Sequence, residues 1–558
     1  MWIRAAAALR GLLALVALGV APAPSQSAPD AELGKRLYLT GTRADGAMAA
    51  AKAEGDVPLG GPRVACAACH RPSGFGSSEG GYFTPPITGP ILFSERRLDR
   101  ARFMMNRFGQ AQSSRLHARL VQPHMRPAYT TETLARALRE GVDAGGQTLD
   151  AAMPRYDLTD ADVADLTSYL HSLSATPDPG VSAQEIHLAT VIGPEVPASQ
   201  RAAMLATLQA YVDWINKGVA GEASRPGFSP YHRNDVAGAE RRWRLHLWEL
   251  HGSPEGWSAQ LEDYYRREPV FALVSGLAKG SWRPIADFCD VNRLPSLFPI
   301  TDQPAIERAG SGYTFYFSKG ARLEAEGLAA FLASQSPPVR LALQIVGESG
   351  EAAKAADDFG RALRAKAPGV TLIDAPWRRG EVDISAAGGT LDAIVIWPGE
   401  AEDEALSSLI EGLPEKVPVL LPSDRTPMAM HRLSRESASR VLLADPYELP
   451  GAVHPLAFRV RAWMRSRGLD INEPRLQFQT YYAASLLDAA LSRLIADFYR
   501  DYLVEAVESE AEGDLNPGVY PSLVLGPGQR FASKGLFVVR VDETAPDGIT
   551  AASDWITP

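Results

Sequence analysis

Cysteine is scarce: the 558 residues hold three, Cys66, Cys69 and Cys289, too few for the disulfide frameworks that hold small secreted domains together. Blocks of lysine and arginine are missing as well, and the formal net charge is −10. Nothing in the chain could run along a phosphate backbone, so nucleic acid is excluded as the expected partner. No low-complexity tract or internal repeat is visible, which removes collagen, coiled coil and whole-chain disorder. Beyond Val20 no apolar run is long enough to span a bilayer. What is present is ordinary for a globular protein, 46% hydrophobic and 22% charged residues, and at ~150 residues per unit the length makes about three or four compact units.

The first 28 residues read as an address. Arg4 and Arg10 precede the apolar run Gly11–Val20, which gives way to Ala21-Pro-Ala-Pro-Ser-Gln-Ser-Ala28, the n-region, h-region and small-residue cleavage pattern of a secretory signal peptide. An uncleaved membrane anchor is the competing reading, but the apolar run is well below the ~20 residues a spanning helix needs. The expectation is export to the periplasm, with a cut after Ser27 or Ala28 and no transmembrane span in the mature chain.

Two of the three cysteines stand in Val64-Ala-Cys66-Ala-Ala-Cys69-His70. In C-x-x-C-H the two thiols can add to the vinyl groups of one haem while the adjacent imidazole reaches its iron. A redox dithiol would follow a strand in a βαβ unit, and a zinc half-site would need a second Cys or His pair at similar spacing. The sequence offers neither context. One attachment motif predicts one covalent haem c, held by Cys66 and Cys69 with His70 as an axial ligand.

The residues around this motif form helical patterns. Glu32-Leu-Gly34-Lys-Arg-Leu37-Tyr38 places a glycine one turn from an aromatic, where another helix can cross closely. Thr133–Gly141 puts Leu134 and Leu138 on one face and ends on a glycine stop. Leu149-Asp-Ala-Ala-Met153-Pro154 precedes Thr159-Asp-Ala-Asp162, a capping box, and a helix with Val163, Leu166, Tyr169, Leu170 and Leu173 at three- and four-residue spacing. Over about residues 30–175 this set resembles the class I c-type cytochromes. The resemblance implies an all-α domain in which the first and last helices cross, with Tyr169 near Gly34. It also implies that Met153, in a Met-Pro directly before the last helix, is the sixth ligand of the iron. Met104, Met105 and Met125 are rivals for that place, and His124 and His171 would substitute only if Met153 were misplaced. The prolines of Thr84-Pro85-Pro86-Ile-Thr-Gly89-Pro90 resemble the loop whose carbonyl accepts the N–H of the ligand histidine, and the sequence leaves open which proline does so. Arg96, Arg97, Arg100, Arg102, Arg107, Arg115 and Arg119 read as a solvated helix face. Gly74-Phe-Gly76-Ser-Ser-Glu-Gly80 imitates a dinucleotide fingerprint but follows no strand.

Residues 176–184, a turn-rich stretch with Pro177, Pro179 and Gly180, read as a linker. Beyond it, short apolar or β-branched runs alternate with amphipathic helices. Ile186–Ile192 precedes a helix over 200–216, Val270–Val274 one over 282–292, and Leu341–Val346 one over 352–365. Leu391–Ile396, Val417–Leu421 and Val441–Ala444 follow. Alternation of this kind predicts parallel sheets covered by helices, and some 370 residues call for two lobes. The arrangement, together with Pro269–Gly276, Leu294–Thr301, Tyr481–Ala490 and Tyr520–Gly535, resembles the type I periplasmic binding proteins of branched-chain amino acid and amide transporters. The expected organisation is a signal peptide over 1–28, a cytochrome c domain over 29–175, a linker over 176–184 and a two-lobed α/β receptor-like domain over 185–558.

In such receptors the ligand sits between the lobes, at strand ends and helix N-termini. Carried over by position, the resemblance implies a cleft near Ser275, Ser281, Thr301, Asp302 and Gln303 in the first lobe. In the second it implies Glu348 and Ser349, Trp397, and Ser423 and Asp424, with Ser281 capping the next helix. Hydrolase readings fail: Gly347-Glu-Ser349-Gly350 lacks the last glycine of a nucleophile elbow, and His246 and His251 have the wrong spacing for a helical zinc pair. Cys289 reads as a buried apolar residue. The function expected is electron transfer through one haem, coupled to small-molecule capture and serving a periplasmic redox partner, with a quinoprotein dehydrogenase favoured. A ligand-gated haem redox sensor and a peroxidase-like enzyme are the alternatives.

Overall fold

The computed structural model describes residues 28–79, 82–95, 125–224 and 241–558. Within the last span, 302, 307–311, 379, 386–387, 400–401, 403, 424–431, 453, 495–496, 512–514, 543–544 and 546–547 are not described. Residues 1–27 of the expected signal peptide and the arginine-rich stretch therefore lie outside the described residues, as do Met104, Met105, His124, Asp302 and Asp424. Two compact units result, one ending at Ala175 and the next beginning at Thr176.

In the first unit, helix α1 (Ala31–Thr40) starts where Asp30 accepts the amides of Glu32 and Leu33, and stops at Gly41 in the left-handed region. Strands β1 (Ala50–Lys52) and β2 (Pro58–Leu59) follow, then the single-turn helix α2 (Ala67–His70) and a hairpin of β3 (Ser77–Glu79) and β4 (Tyr82–Thr84). Helix α3 (Thr131–Glu140), strand β5 (Arg155–Asp157) and helix α4 (Asp160–Ser172) complete the unit. The capping box expected at Thr159 and Asp162 opens α4, with both reciprocal bonds made. Leu37, Tyr38, Val64, Leu134, Leu138, Val163, Leu166 and Leu170 form the core.

The unit is not purely helical. β2, β1 and β5 form a three-stranded antiparallel sheet that pairs Ala51 with both Leu59 and Tyr156. Strands of two or three residues carry too little alternation to be read from sequence. α1 and α4 do cross at Gly34, but what it meets is the Asp165 carbonyl, which a Cβ would overlap. Tyr169 packs on Tyr38 instead, with ring centroids 5.3 Å apart.

The second unit begins inside the expected linker. Asp178 accepts the Arg500 amide at 2.7 Å, and Gly180, at φ 91°, lies so close to the Val270–Phe271 backbone that no Cβ would fit. These residues belong to the second folded unit, so the linker expected over 176–184 is in part folded structure. The first lobe is built on β6 (Glu185–Ile192), α5 (Ala198–Ser224), β7 (Arg242–Glu249), α6 (Trp257–Arg267), β8 (Ala272–Val274), α7 (Arg283–Val291), β9 (Ser296–Leu297) and β10 (Thr314–Phe315). Its five strands are parallel, in the order β10-β9-β8-β6-β7.

The chain then enters the second lobe through α8 (Ala321–Ala333), β11 (Leu341–Val346), α9 (Gly350–Lys366), β12 (Thr371–Pro376), β13 (Ala393–Trp397), β14 (Val419–Leu421) and β15 (Val441–Asp445). It returns to the first-lobe core with α10 (Pro474–Leu494) and α11 (Arg500–Glu510). It crosses once more for β16 (Phe537–Val541) and β17 (Ile549–Ala551), which close the second sheet in the order β12-β11-β13-β14-β15-β16-β17. β16 and β17 are antiparallel, a departure from the parallel sheets expected. β13 is buried on both faces, as the unbroken apolar run Ala393–Ile396 requires. Among the described residues no helix is long and apolar enough to cross a membrane.

Candidate functional site

Cys66 is the N-cap of α2 and Cys69 lies within it, and neither is in a disulfide. One turn of helix puts the two sulfurs on the same side, one above the other. The turn is stapled at its far end. Gly76 donates to the His70 carbonyl at 3.0 Å, Ser77 Oγ to the Cys69 carbonyl at 3.1 Å, and Tyr38 of α1 to the Arg71 carbonyl at 2.7 Å. Burial pushes the Cys66 thiol up to about 12, the reverse of the activated thiolate a redox dithiol needs.

His70 Nδ1 lies 3.0 Å from the Pro85 carbonyl. This identifies which of the prolines at 85, 86 and 90 supplies the acceptor, and it leaves Nε2 as the nitrogen with a lone pair for a metal. Burial holds the imidazole neutral, with its pKa lowered to about 4. Gly76 makes the approach possible: at φ 79° it lies against the Thr84 carbonyl, where a Cβ would overlap. Of the glycines that imitate a dinucleotide loop, Gly76 thus serves the histidine's acceptor, while Gly74 lies against the Leu173 side chain.

Met153 is half-buried and packs, like Cys66, against the core of the first unit. Its amide donates to the Asp150 carbonyl at 3.1 Å. Of its rivals, Met125 is 52% exposed, and His171 is stacked on Phe93 at 3.5 Å. β5 lays the buried Tyr156 beside the thiols, where burial first and then Cys66 and Cys69 push its phenol above the ordinary range. Two thiols on one helical turn, a neutral imidazole tied at Nδ1 and a thioether on an apolar core are a donor set that fits a covalently held haem.

Residues 63–174 match the family model for cytochrome c. They form a cytochrome c domain. No curated protein matches the chain. Among solved structures, the chain is similar to a branched-chain amino acid ABC transporter protein from Thermus thermophilus with bound valine, at 14% identity and TM-score 0.49, over 68% of this chain and 98% of that one. A leucine-binding protein from Thermotoga maritima matches at 15% identity and TM-score 0.47, over 67% and 99%. A fatty acid ABC transporter substrate-binding protein from Thermomonospora curvata matches at 15% and 0.47, over 69% and 95%.

Outside the cytochrome c domain the expected cleft residues fall into two groups, one at the strand ends of each lobe. Ser275, at the end of β8, is 1% exposed at φ 54°, and its hydroxyl has no partner among the described residues. Thr301 Oγ1 accepts the Gln303 amide at 3.1 Å and reaches the Gly280 carbonyl at 3.4 Å, so it ties the two first-lobe loops together. Trp282, not Ser281, is the N-cap of α7; Ser281 Oγ accepts the Arg283 amide and borders an open depression of about 410 Å³. In the second lobe Ser349 caps α9 by accepting the Ala352 amide at 3.0 Å.

Trp397 is a correction. It is 2% exposed, packs at a tilt against Phe359 and donates to Gln344 Oε1 at 3.2 Å. As the last residue of a strand buried on both faces, it belongs to the core rather than a cleft wall. Two carboxylates at this edge carry no sequence signal. Glu324 of α8 accepts both the hydroxyl and the amide of Ser423. Glu402 accepts the Glu348 amide at 3.1 Å and lies against Gly347 and Gly399.

Proposed function

We propose that the chain is an exported electron-transfer protein with one haem c, joined to a two-lobed small-molecule receptor, and that it accepts electrons from a periplasmic quinoprotein dehydrogenase. The observation that carries the reading is the His70–Pro85 contact within a cytochrome c domain whose only attachment motif is Cys66-Ala-Ala-Cys69-His70. When bound, the haem supplies a one-electron couple. Cys66 and Cys69 hold it, His70 offers Nε2, and Met153 offers a neutral thioether, which favours the reduced state relative to a second imidazole or a thiolate. If His70 and Met153 both ligated the iron, no place would remain for a small oxidant, as suits a carrier rather than a peroxidase. Met153 packs half-buried against the apolar core of the first unit, which would keep one side of the thioether out of water.

Support for a receptor role comes from Ser275. A buried hydroxyl without a partner costs about 1–3 kcal/mol, and it stands at the carboxyl end of a strand, where α/β folds bind ligands. The test mixes purified full-length protein with a quinoprotein alcohol dehydrogenase and alcohol. Haem reduction that requires both additions is expected. A haem reducible by dithionite but by no dehydrogenase mixture would overturn the partnership. Mass spectrometry of molecules released from undenatured protein tests the receptor role: a stoichiometric small molecule is expected, and protein that neither releases one nor shifts its melting point with any amino acid, amide or alcohol would contradict it.

A further inference from the structure

We infer that Arg155 positions the loop of Met153 and so sets the strength of the methionine–iron bond. The inference rests on the reading of Met153 as axial ligand. Between Leu149 and Arg155 the chain has no regular structure, and its local bonds, Met153 N to Asp150 O and Ala152 N to Asp150 Oδ1, shape the loop without fixing where it sits. Arg155 does that. Its Nη1 donates to the Met153 carbonyl and its Nη2 to the Leu149 carbonyl, so one guanidinium clamps both ends of the loop.

The clamp is anchored at both its own ends. The Arg155 backbone is held in β5 opposite Lys52. Its guanidinium lies over Gly141, the left-handed stop of α3, where a Cβ would overlap Nε and Cζ, and the Gly141 carbonyl accepts the Leu149 amide at 2.7 Å. The end of α3, the loop and β5 therefore close into one ring. A planar guanidinium holds two carbonyls at a fixed spacing; a lysine's ammonium has donors enough but no rigid fork to set that spacing. Without the clamp the Met153 carbonyl is released, and the thioether must reach from a backbone no longer held in place.

The test uses the full chain with haem attached, as wild type, Arg155→Gln, Arg155→Lys and Gly141→Ala, the last displacing the guanidinium without removing it. The readouts are the far-red methionine–iron band of the oxidised protein and its affinity for added imidazole, which competes with Met153. Arg155→Gln and Gly141→Ala are expected to weaken the band and tighten imidazole binding about tenfold, equivalent to about 1.4 kcal/mol, with Arg155→Lys in between. Variants that unfold more easily but keep the wild-type band and imidazole affinity would overturn the inference and leave Arg155 a merely structural residue. Failure of the Met153 reading looks different: the wild type itself lacks the band, and Met153→Ala leaves the spectrum unchanged.

Discussion

Gly34 sits inside α1, where glycine is normally a weakness and replacement by alanine should stabilise by about 1 kcal/mol. The structure reverses the sign. A Cβ at Gly34 would overlap the Asp165 carbonyl and come within 3.0 Å of the Leu166 Cα, both backbone atoms of α4 that cannot swing aside as a side chain could. Relief requires α1 and α4 to separate along the crossing where Tyr38 and Tyr169 also pack. Overpacking of a tight core costs about 1–3 kcal/mol, so the propensity gain is outweighed and Gly34→Ala should lose about 1–2 kcal/mol net. For a domain of this size that lowers the melting temperature by about 3–6 °C. The assay is thermal unfolding of the haem-loaded protein followed at the Soret band, with Gly34→Val as a larger step in the same direction. A Gly34→Ala protein as stable as wild type, or more so, would refute the reasoning about the crossing.

Burial raises the pKa of Asp488 from 3.8 to about 6, against a lowering contribution from the Tyr211 hydroxyl. Its folded-state pKa therefore exceeds the unfolded value, and stability is highest below about pH 4 and falls as pH rises through about 6. Asp488→Asn should abolish this slope and gain about 2 kcal/mol at neutral pH in urea titrations; a slope that persists in the variant counts against the assignment. Arg500 is 2% exposed and donates to the carbonyls of Pro179, Val270, Phe271 and Asn292 and to the Tyr265 hydroxyl. Arg500→Met strips these acceptors and should cost about 4 kcal/mol or more, read by tryptophan fluorescence in urea, with the haem transition unmoved. Ser349→Ala removes the α9 cap and should cost about 1 kcal/mol in the same titration; no loss would show that the bond to Ala352 is not stabilising.

What could be read in the sequence was chemistry with fixed spacing and elements with long periodicity. Cys66-x-x-Cys69-His70 points to the cytochrome c family that residues 63–174 match, the Thr159–Asp162 box marks a helix start to the residue, and Leu341–Val346 forms a strand with those same bounds. The small antiparallel sheet escaped because three residues carry no period. The Pro85 acceptor escaped because the carbonyls of the three prolines at 85, 86 and 90 are chemically alike, and only the fold selects one. Arg155, Glu324 and Glu402 were illegible for a related reason: a charged residue's partners are set by elements far away in sequence, and no local pattern announces them. Trp397 failed through analogy of position, since an aromatic at a strand end can face the core as readily as a cleft.

The central claim is that Cys66 and Cys69 bind one haem covalently with His70 on its iron. Its most direct test is acid–acetone extraction of protein expressed with a cytochrome c maturation system, followed by pyridine haemochrome analysis, beside a Cys66→Ser/Cys69→Ser variant. The account predicts one haem per chain, retained by the wild-type polypeptide and extracted from the variant. A colourless wild type, or one whose pigment passes entirely into the solvent, would contradict it.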